Sequence, residues 1–309
     1  MKERRVTNGI LNHCYQRTVG GGLLFYSISD HLVYFTSYCV LARKHGIKVL
    51  GLCQMPDHLH DSVIVRDKRQ LGAFKREQNT WFSKAQNEYC GISGPLFKHP
   101  FGSAMKTDDK KVRTNLIYVG NNPVERHLVE KAEEYRWNYV AYADSDHPFS
   151  RKLSLRNSSP ALKRAVSEVR SQYGKQLPMN YTMLKRLFKQ LDNVETQQLI
   201  DYIISVYNVI DYKAALDYFG GNYKRFLMAM HSTTGSEHDL KEKKTGRSDE
   251  YYSQMSAMLL RRYGLDDIHG VLRLDKKELL AYLRGKTAAT DKQIMKYIRM
   301  RDWELSGSQ

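Results

Sequence analysis

The run Met55-Pro56-Asp57-His58-Leu59-His60, with an apolar stretch on each side, constrains this chain more than any other segment. Ile47 to Cys53 before it and Val63 to Val65 after it are apolar and partly β-branched, which predicts two strands joined by a short proline-containing link. Residues two apart on a strand share a face, roughly 6 to 7 Å apart along the backbone. His58 and His60 would then offer both imidazoles to one divalent ion. The same spacing also suits two half-buried histidines of an ordinary strand, so spacing alone leaves metal binding open.

The rest of the N-terminal half mixes strands and helices. Ile10 to Thr18 reads as a strand broken by Gly20-Gly21-Gly22. A helix follows, capped by Ser29 or Asp30, with Leu32, Val33, Phe35, Thr36, Cys39 and Val40 at helical spacing up to Gly46. Leu71 to Tyr89 reads as a second helix ended by Gly91, and Thr107 to Asn122 as a third stopped by Pro123. This order suits an α+β, ferredoxin-like sandwich: an antiparallel sheet with helices on one face.

Polar composition predicts a linker at residues 146–160, dividing a catalytic-type domain at 1–145 from an all-α C-terminal domain at 161–309. Val194 to Tyr207 carries an apolar helical stripe, and the charged stretch Glu237 to Glu250 reads as an exposed loop or hinge. Asp275 with Glu278, and Thr290 with Gln293, have capping-box spacing, and Gly285 ends the first of these two helices. With Lys292, Lys296 and Arg299 on the second, residues 275–301 resemble a helix-turn-helix DNA reader. Two capped helices with solvated lysines suit a plain all-α domain as well.

Charge narrows the partner class. Lys plus Arg number 49 against 33 Asp plus Glu, a net of +16 spread over both halves, which favours a polyanion such as nucleic acid. No apolar run approaches the ~20 residues of a membrane span. Cys14, Cys39, Cys53 and Cys90 form no Cys-x-x-Cys pair, against both a zinc ribbon and a secreted disulfide scaffold. Met1-Lys2-Glu3-Arg4-Arg5 leads into no signal-like apolar core. A cytoplasmic, nucleoid-associated protein is the expectation.

Two histidines need a third ligand, and the third helix offers one. Tyr118 and Asn122 are four apart, which stacks them on one helix face, although Asn122 precedes Pro123 and also suits a helix-ending amide. Tyr118, one of 21 tyrosines, is equally a candidate for simple packing.

These residues together resemble a known family. Cys14-Tyr15-Gln16-Arg17-Thr18, the histidine motif, Tyr118-Val119-Gly120-Asn121-Asn122-Pro123-Val124 and Tyr135-Arg136-Trp137-Asn138-Tyr139 are similar to the REP-associated tyrosine transposases, single-tyrosine HUH transposases related to those of single-stranded insertion sequences. The resemblance spans roughly residues 8–142. It implies a strand transferase acting on single-stranded, hairpin-bearing DNA. It further implies that His58, His60 and Asn122 hold Mg²⁺ or Mn²⁺ while Tyr118 attacks, leaving a 5′-phosphotyrosine and a free 3′-hydroxyl. Two positions depart from the pattern. Asp61 stands where an apolar residue is usual and points to the face opposite His58 and His60; Asp57 stands where asparagine is common.

Basic residues interleaved with aromatics, at Lys75 to Lys84 and at Phe97-Lys98-His99, suggest a DNA path. Trp81 and Phe82 fall on an apolar helix face and read as core. Arg17, Lys98, His99, Lys292, Lys296 and Arg299 are the candidate DNA contacts. A non-catalytic DNA-binding regulator derived from a transposase, or an RNA-binding module, would share the charge and the sheet but would form no covalent adduct. Monomer and homodimer both stay open, since a dimer can place one subunit's tyrosine over the other's histidines.

Overall fold

The computed structural model describes residues 6–232, 248–301 and 304. Residues 1–5 and most of the expected Glu237–Glu250 loop lie outside the described residues, and Ser248–Tyr263 is helical.

The histidine segment is a β-hairpin. Strand β2 (Lys48–Met55) pairs antiparallel with β3 (His58–Ile64), setting Met55 opposite His58 and Cys53 opposite His60 across the Pro56-Asp57 link. Strand β1 (Leu11–Arg17) takes the other edge of β3, with Tyr15 opposite His60 and Arg17 opposite His58. A strand that the sequence reading did not single out, β4 (Gly102–Lys106), pairs with β1. The order β2-β3-β1-β4, with one helix after β1 and another after β3, is the ferredoxin-like α+β arrangement.

Helices α1 (Ile28–Lys44) and α2 (Lys68–Cys90) cover one face of the sheet, where Cys14, Leu59 and Val63 meet Leu32, Val33 and Phe74. Helix α3 (Asp109–Glu125) adds a layer on the opposite face, because Leu11, Leu50, Cys53 and Met55 need cover there from Val112, Leu116 and Val119. Phe82 is fully buried, in keeping with its apolar helix face.

Two boundaries differ from expectation. The N-cap of α1 is Ser27: its hydroxyl accepts from Asp30 N while Asp30 Oδ2 accepts from Ser27 N, a reciprocal box that neither Ser29 nor Asp30 alone would close. Helix α3 runs through Pro123 to Glu125. Proline costs only one missing N–H in a last turn, and Arg126 N and Leu128 N still bond the carbonyls of Asn122 and Pro123.

The C-terminal half packs directly on these layers. Helices α4 (Pro160–Gly174), α5 (Tyr181–Phe188) and α6 (Asn193–Tyr207) share one core with α1 through Leu162, Leu184, Ile200 and Ile203. Helices α7 (Tyr212–Asp217) and α8 (Tyr223–Ser232) bury Ala215, Phe226 and Met230 against α3. Helices α9 (Ser248–Tyr263), α10 (Lys276–Arg284) and α11 (Asp291–Tyr297) form a third cluster that takes in Leu23. Both expected caps are present, Asp275 accepting from Glu278 N and Thr290 boxed with Gln293.

A buried carboxylate ties this last cluster to the sheet domain. Asp30 accepts from Tyr26 N, Ser27 N, Gln86 Nε2 and Tyr181 Oη, and lies 2.9 Å from His269 Nε2. His269 Nδ1 meets Asp267 at 2.6 Å, and Asp267 accepts from Tyr89. Burial alone would depress the His269 pKa, but the charge of Asp30 and the bonds to Asp267 and Asp30 outweigh it and raise it from 6.5 to about 9. Because the folded value lies above the unfolded one, this stabilisation is complete below pH 6.5 and fades as pH rises through 9. We therefore expect about 3 kcal/mol of unfolding free energy to be lost between pH 6.5 and 9.5, measured by urea denaturation, and His269→Gln to flatten that dependence.

Candidate functional site

The pleat of β3 decides which side chains form the site. Leu59, Asp61 and Val63 point to the α1–α2 layer, so His58, His60 and Ser62 face α3, where Ser62 Oγ donates to Asn115 Oδ1 at 2.8 Å. Asp61 does lie on the face opposite the histidines. There it forms a buried ion pair with Lys75 at 2.5 Å and accepts from Tyr38 Oη at 2.7 Å.

On the α3 face four rings converge within one chain. The rings of His58 and His60 lie 4.8 Å apart, edge to face. The Tyr118 ring is 5.4 Å from His60 and 5.4 Å from His13, also edge-on. His13 stacks on His60 at 5.2 Å, with its Nε2 3.0 Å from His60 Nδ1. His13 is the member of this ring cluster that sequence reasoning missed. The alternation His13, Tyr15, Arg17 on a strand beside the motif was the available signal, masked because Asn12 and Gln16 make the other face polar too.

The Tyr118 motif positions that ring. Gly120 lets α8 and the turn at 139–142 approach, since a Cβ there would sit 2.8 Å from Met230 Sδ and 3.0 Å from Val140 Cγ2. Asn121 Nδ2 donates to the Met230 carbonyl, and Asn138 Nδ2 to the Gly120 carbonyl. Asn122 is buried one turn beyond Tyr118, with its Nδ2 donating to the Tyr118 carbonyl at 2.8 Å. Its Oδ1 is the side-chain atom able to ligate a cation. The aromatic run clamps the opposite strand: Tyr135 Oη donates to the Gln54 carbonyl, and Gln54 N to the Trp137 carbonyl.

The hydrogen bonds select which nitrogens face the cleft. His58 Nδ1 is 2.7 Å from Asp57 Oδ1, so it holds the proton and leaves the Nε2 lone pair as the ligating one. When His60 Nδ1 donates to His13 Nε2, His60 Nε2 is likewise the ligating nitrogen. Burial, then the charges of His58, His13 and Arg17, holds His60 well below its ordinary pKa. Burial, then Lys106 and Lys75, pushes His13 down to about 3. Both rings are neutral at physiological pH, the state a metal ligand requires. Asp57 is the charged counterpart. Burial raises its pKa, but His58, Arg126 and Lys296 together bring it well below the usual carboxylate range.

Among the described residues no group of three or more His, Cys, Asp or Glu side chains forms a metal cage. The donor set fits a hard or borderline divalent ion that keeps part of its oxygen shell as water or substrate: two imidazoles, one with a carboxylate behind it, and a nearby amide oxygen.

The expected DNA contacts divide in two. Tyr15, 44% exposed, and Arg17, also exposed, flank the histidines on β1; Lys98 and His99 are exposed, and Lys98 N bonds the Arg17 carbonyl. Lys292 is exposed on α11. Lys296 and Arg299 have partners inside the chain instead: Lys296 pairs with Asp57 at 2.5 Å, and Arg299 donates to the Leu23 carbonyl and to Gln86 Oε1 at 2.8 Å each. Phe97 and Phe101 are buried in the core, so the rings beside Lys98 and His99 offer no stacking platform. No described helix is long and apolar enough to cross a membrane.

His13→Phe keeps an aromatic ring at this buried position but removes the partner of His60 Nδ1. We expect Mn²⁺ affinity, measured by calorimetric titration, to fall about tenfold. Stability should fall by about 1–3 kcal/mol, the cost of a buried polar atom left without its bond.

No protein-family model matches the chain, and no curated protein matches it. Among solved structures, a REP-associated tyrosine transposase bound to a REP hairpin is similar over 45% of this chain and 81% of its own, at 14% identity and a TM-score of 0.39. The functional reading therefore rests on the geometry of the site itself.

Proposed function

We propose that this chain is a metal-dependent transposase that cleaves and rejoins single-stranded, hairpin-bearing DNA through a covalent phosphotyrosine. The observation that supports it most is a single tyrosine ring edge-on to His60, with the His58 ring 4.8 Å from His60 and the Nδ1 atoms of both histidines held by hydrogen bonds. Tyr118 is the nucleophile; His58 and His60, with Asn122 as the third ligand, would hold Mg²⁺ or Mn²⁺. Such an ion, when bound, neutralises charge developing on a nonbridging phosphate oxygen.

Tyr118 Oη attacks the phosphorus and loses its proton as the new P–O bond forms. The bond to the 3′ oxygen breaks, and that oxygen leaves as a 3′-hydroxyl after taking up a proton. The 5′-phosphotyrosine conserves the linkage, so a second 3′-hydroxyl reverses the step and joins strands without ATP. Burial of the tyrosine helix against β2 and β3 supplies the orientation such a step needs. Arg17, Lys98 and His99, exposed beside the histidine end of β1, suit the phosphate backbone of a single strand.

The test is incubation with Mn²⁺ and labelled single-stranded hairpin oligonucleotides, resolved on denaturing gels. Wild type should give a protein-sized labelled band, and Tyr118→Phe should give none while shifting the same hairpin in a native gel. An adduct that persists in Tyr118→Phe would remove Tyr118 as nucleophile. Tight hairpin binding by wild type with no adduct on any hairpin would favour the non-catalytic regulator.

A further inference from the structure

The histidine hairpin carries a contact from the far end of the chain. Asp57, in the link between β2 and β3, is only 15% exposed and accepts from three groups. His58 Nδ1 and Arg126 Nη1 meet its Oδ1 at 2.7 and 3.1 Å, and Lys296 Nζ meets its Oδ2 at 2.5 Å, across 239 residues of sequence.

We propose that Lys296 is a positioning residue for the His58 imidazole, and that the C-terminal helical unit thereby completes the site rather than only adding DNA contacts. The inference rests on reading His58 as a metal ligand. A carboxylate in a short link rotates freely about its last torsion, and a carboxylate that rotates cannot hold its neighbour in one tautomer. Here each oxygen is pinned by a cation. Arg126 pins Oδ1 from the end of α3, the helix that carries Tyr118, and Lys296 pins Oδ2 from α11.

The lysine is delivered from a fixed element. Leu23 N donates to the Lys296 carbonyl at 3.2 Å, and Tyr26 Oη donates to the Tyr297 carbonyl at 2.6 Å. Arg299 closes the same corner on Leu23 and Gln86. The three anchors set the ammonium over a turn that local sequence could not hold. They also give a physical reason for aspartate at position 57: asparagine would keep a bond to His58 but has no charge to attract Arg126 and Lys296.

The test uses the full chain. The imidazole ¹⁵N shifts of His58 in the metal-free protein report its tautomer, and Mn²⁺ affinity is measured by titration without DNA. Lys296→Met should move the His58 signals from the Nδ1-protonated form towards a mixture and weaken Mn²⁺ binding about 3- to 10-fold. Asp57→Asn should cost about 10- to 100-fold, the usual range for a group behind a ligand. Lys296→Arg should restore both readouts, and Lys296→Gln serves if the methionine variant does not fold.

Unchanged His58 shifts and unchanged Mn²⁺ affinity in folded Lys296→Met would overturn the inference. So would a variant that loses only hairpin affinity and salt dependence, since that marks a phosphate contact. Failure of wild type to bind Mn²⁺ would instead strike the metal reading of the proposed function, and the tautomer signal would still decide the role of Lys296.

Discussion

Both faces of β3 are buried, and that constraint carries the site. A slip of one residue in its pairing would send Leu59 and Val63 to the α3 side and His58 and His60 into the α1–α2 core. Asp61 makes such a slip costlier still, because its buried pairing with Lys75 and Tyr38 exists only in the observed register. The hydrophobic pattern that builds the sheet is thus the same pattern that aims two imidazoles at the tyrosine helix.

Much of this arrangement is written locally. Alternation around His58 and His60 specifies the hairpin, and the four-residue spacing of Tyr118 and Asn122 puts both on α3, one turn apart. The caps at Asp275 and Thr290 are local hydrogen bonds and were readable as such. What escaped was long-range or weakly patterned. Strand β4 has five residues, none of them buried, so its membership of the sheet depends on the partner β1. His13 sits on a strand polar on both faces, and its role appears only when β1 is laid beside β3. Lys296 and Arg299 looked like DNA contacts because their partners, Asp57, Leu23 and Gln86, lie more than 200 residues away.

The electrostatics follow the same division. The chain carries a surplus of sixteen positive charges, yet several cations are spent inside it. Lys75 neutralises Asp61 behind the sheet, Arg126 and Lys296 neutralise Asp57 beside the histidines, and His269 neutralises Asp30 under the C-terminal cluster. The pairings of Asp57 with Lys296 and of Asp30 with His269 join elements distant in sequence, and both bring the last fifty residues onto the sheet domain. Arg17 and Lys98, exposed near the histidines, lie on one side, next to the exposed ring of Tyr15. A polyanion approaching that side meets cations first and the tyrosine and its histidines just behind them.

In this fold Tyr118 lies against His60 and His13 of its own chain, so the proposed site draws its tyrosine and its histidines from one chain. The most direct test mixes equal amounts of Tyr118→Phe and His60→Ala chains and measures covalent adduct on a hairpin oligonucleotide that wild type labels. A site complete within each chain predicts no adduct from the mixture, since neither chain has both tyrosine and metal ligands. Recovery of adduct would contradict it and would require the tyrosine of one subunit to act over the histidines of another.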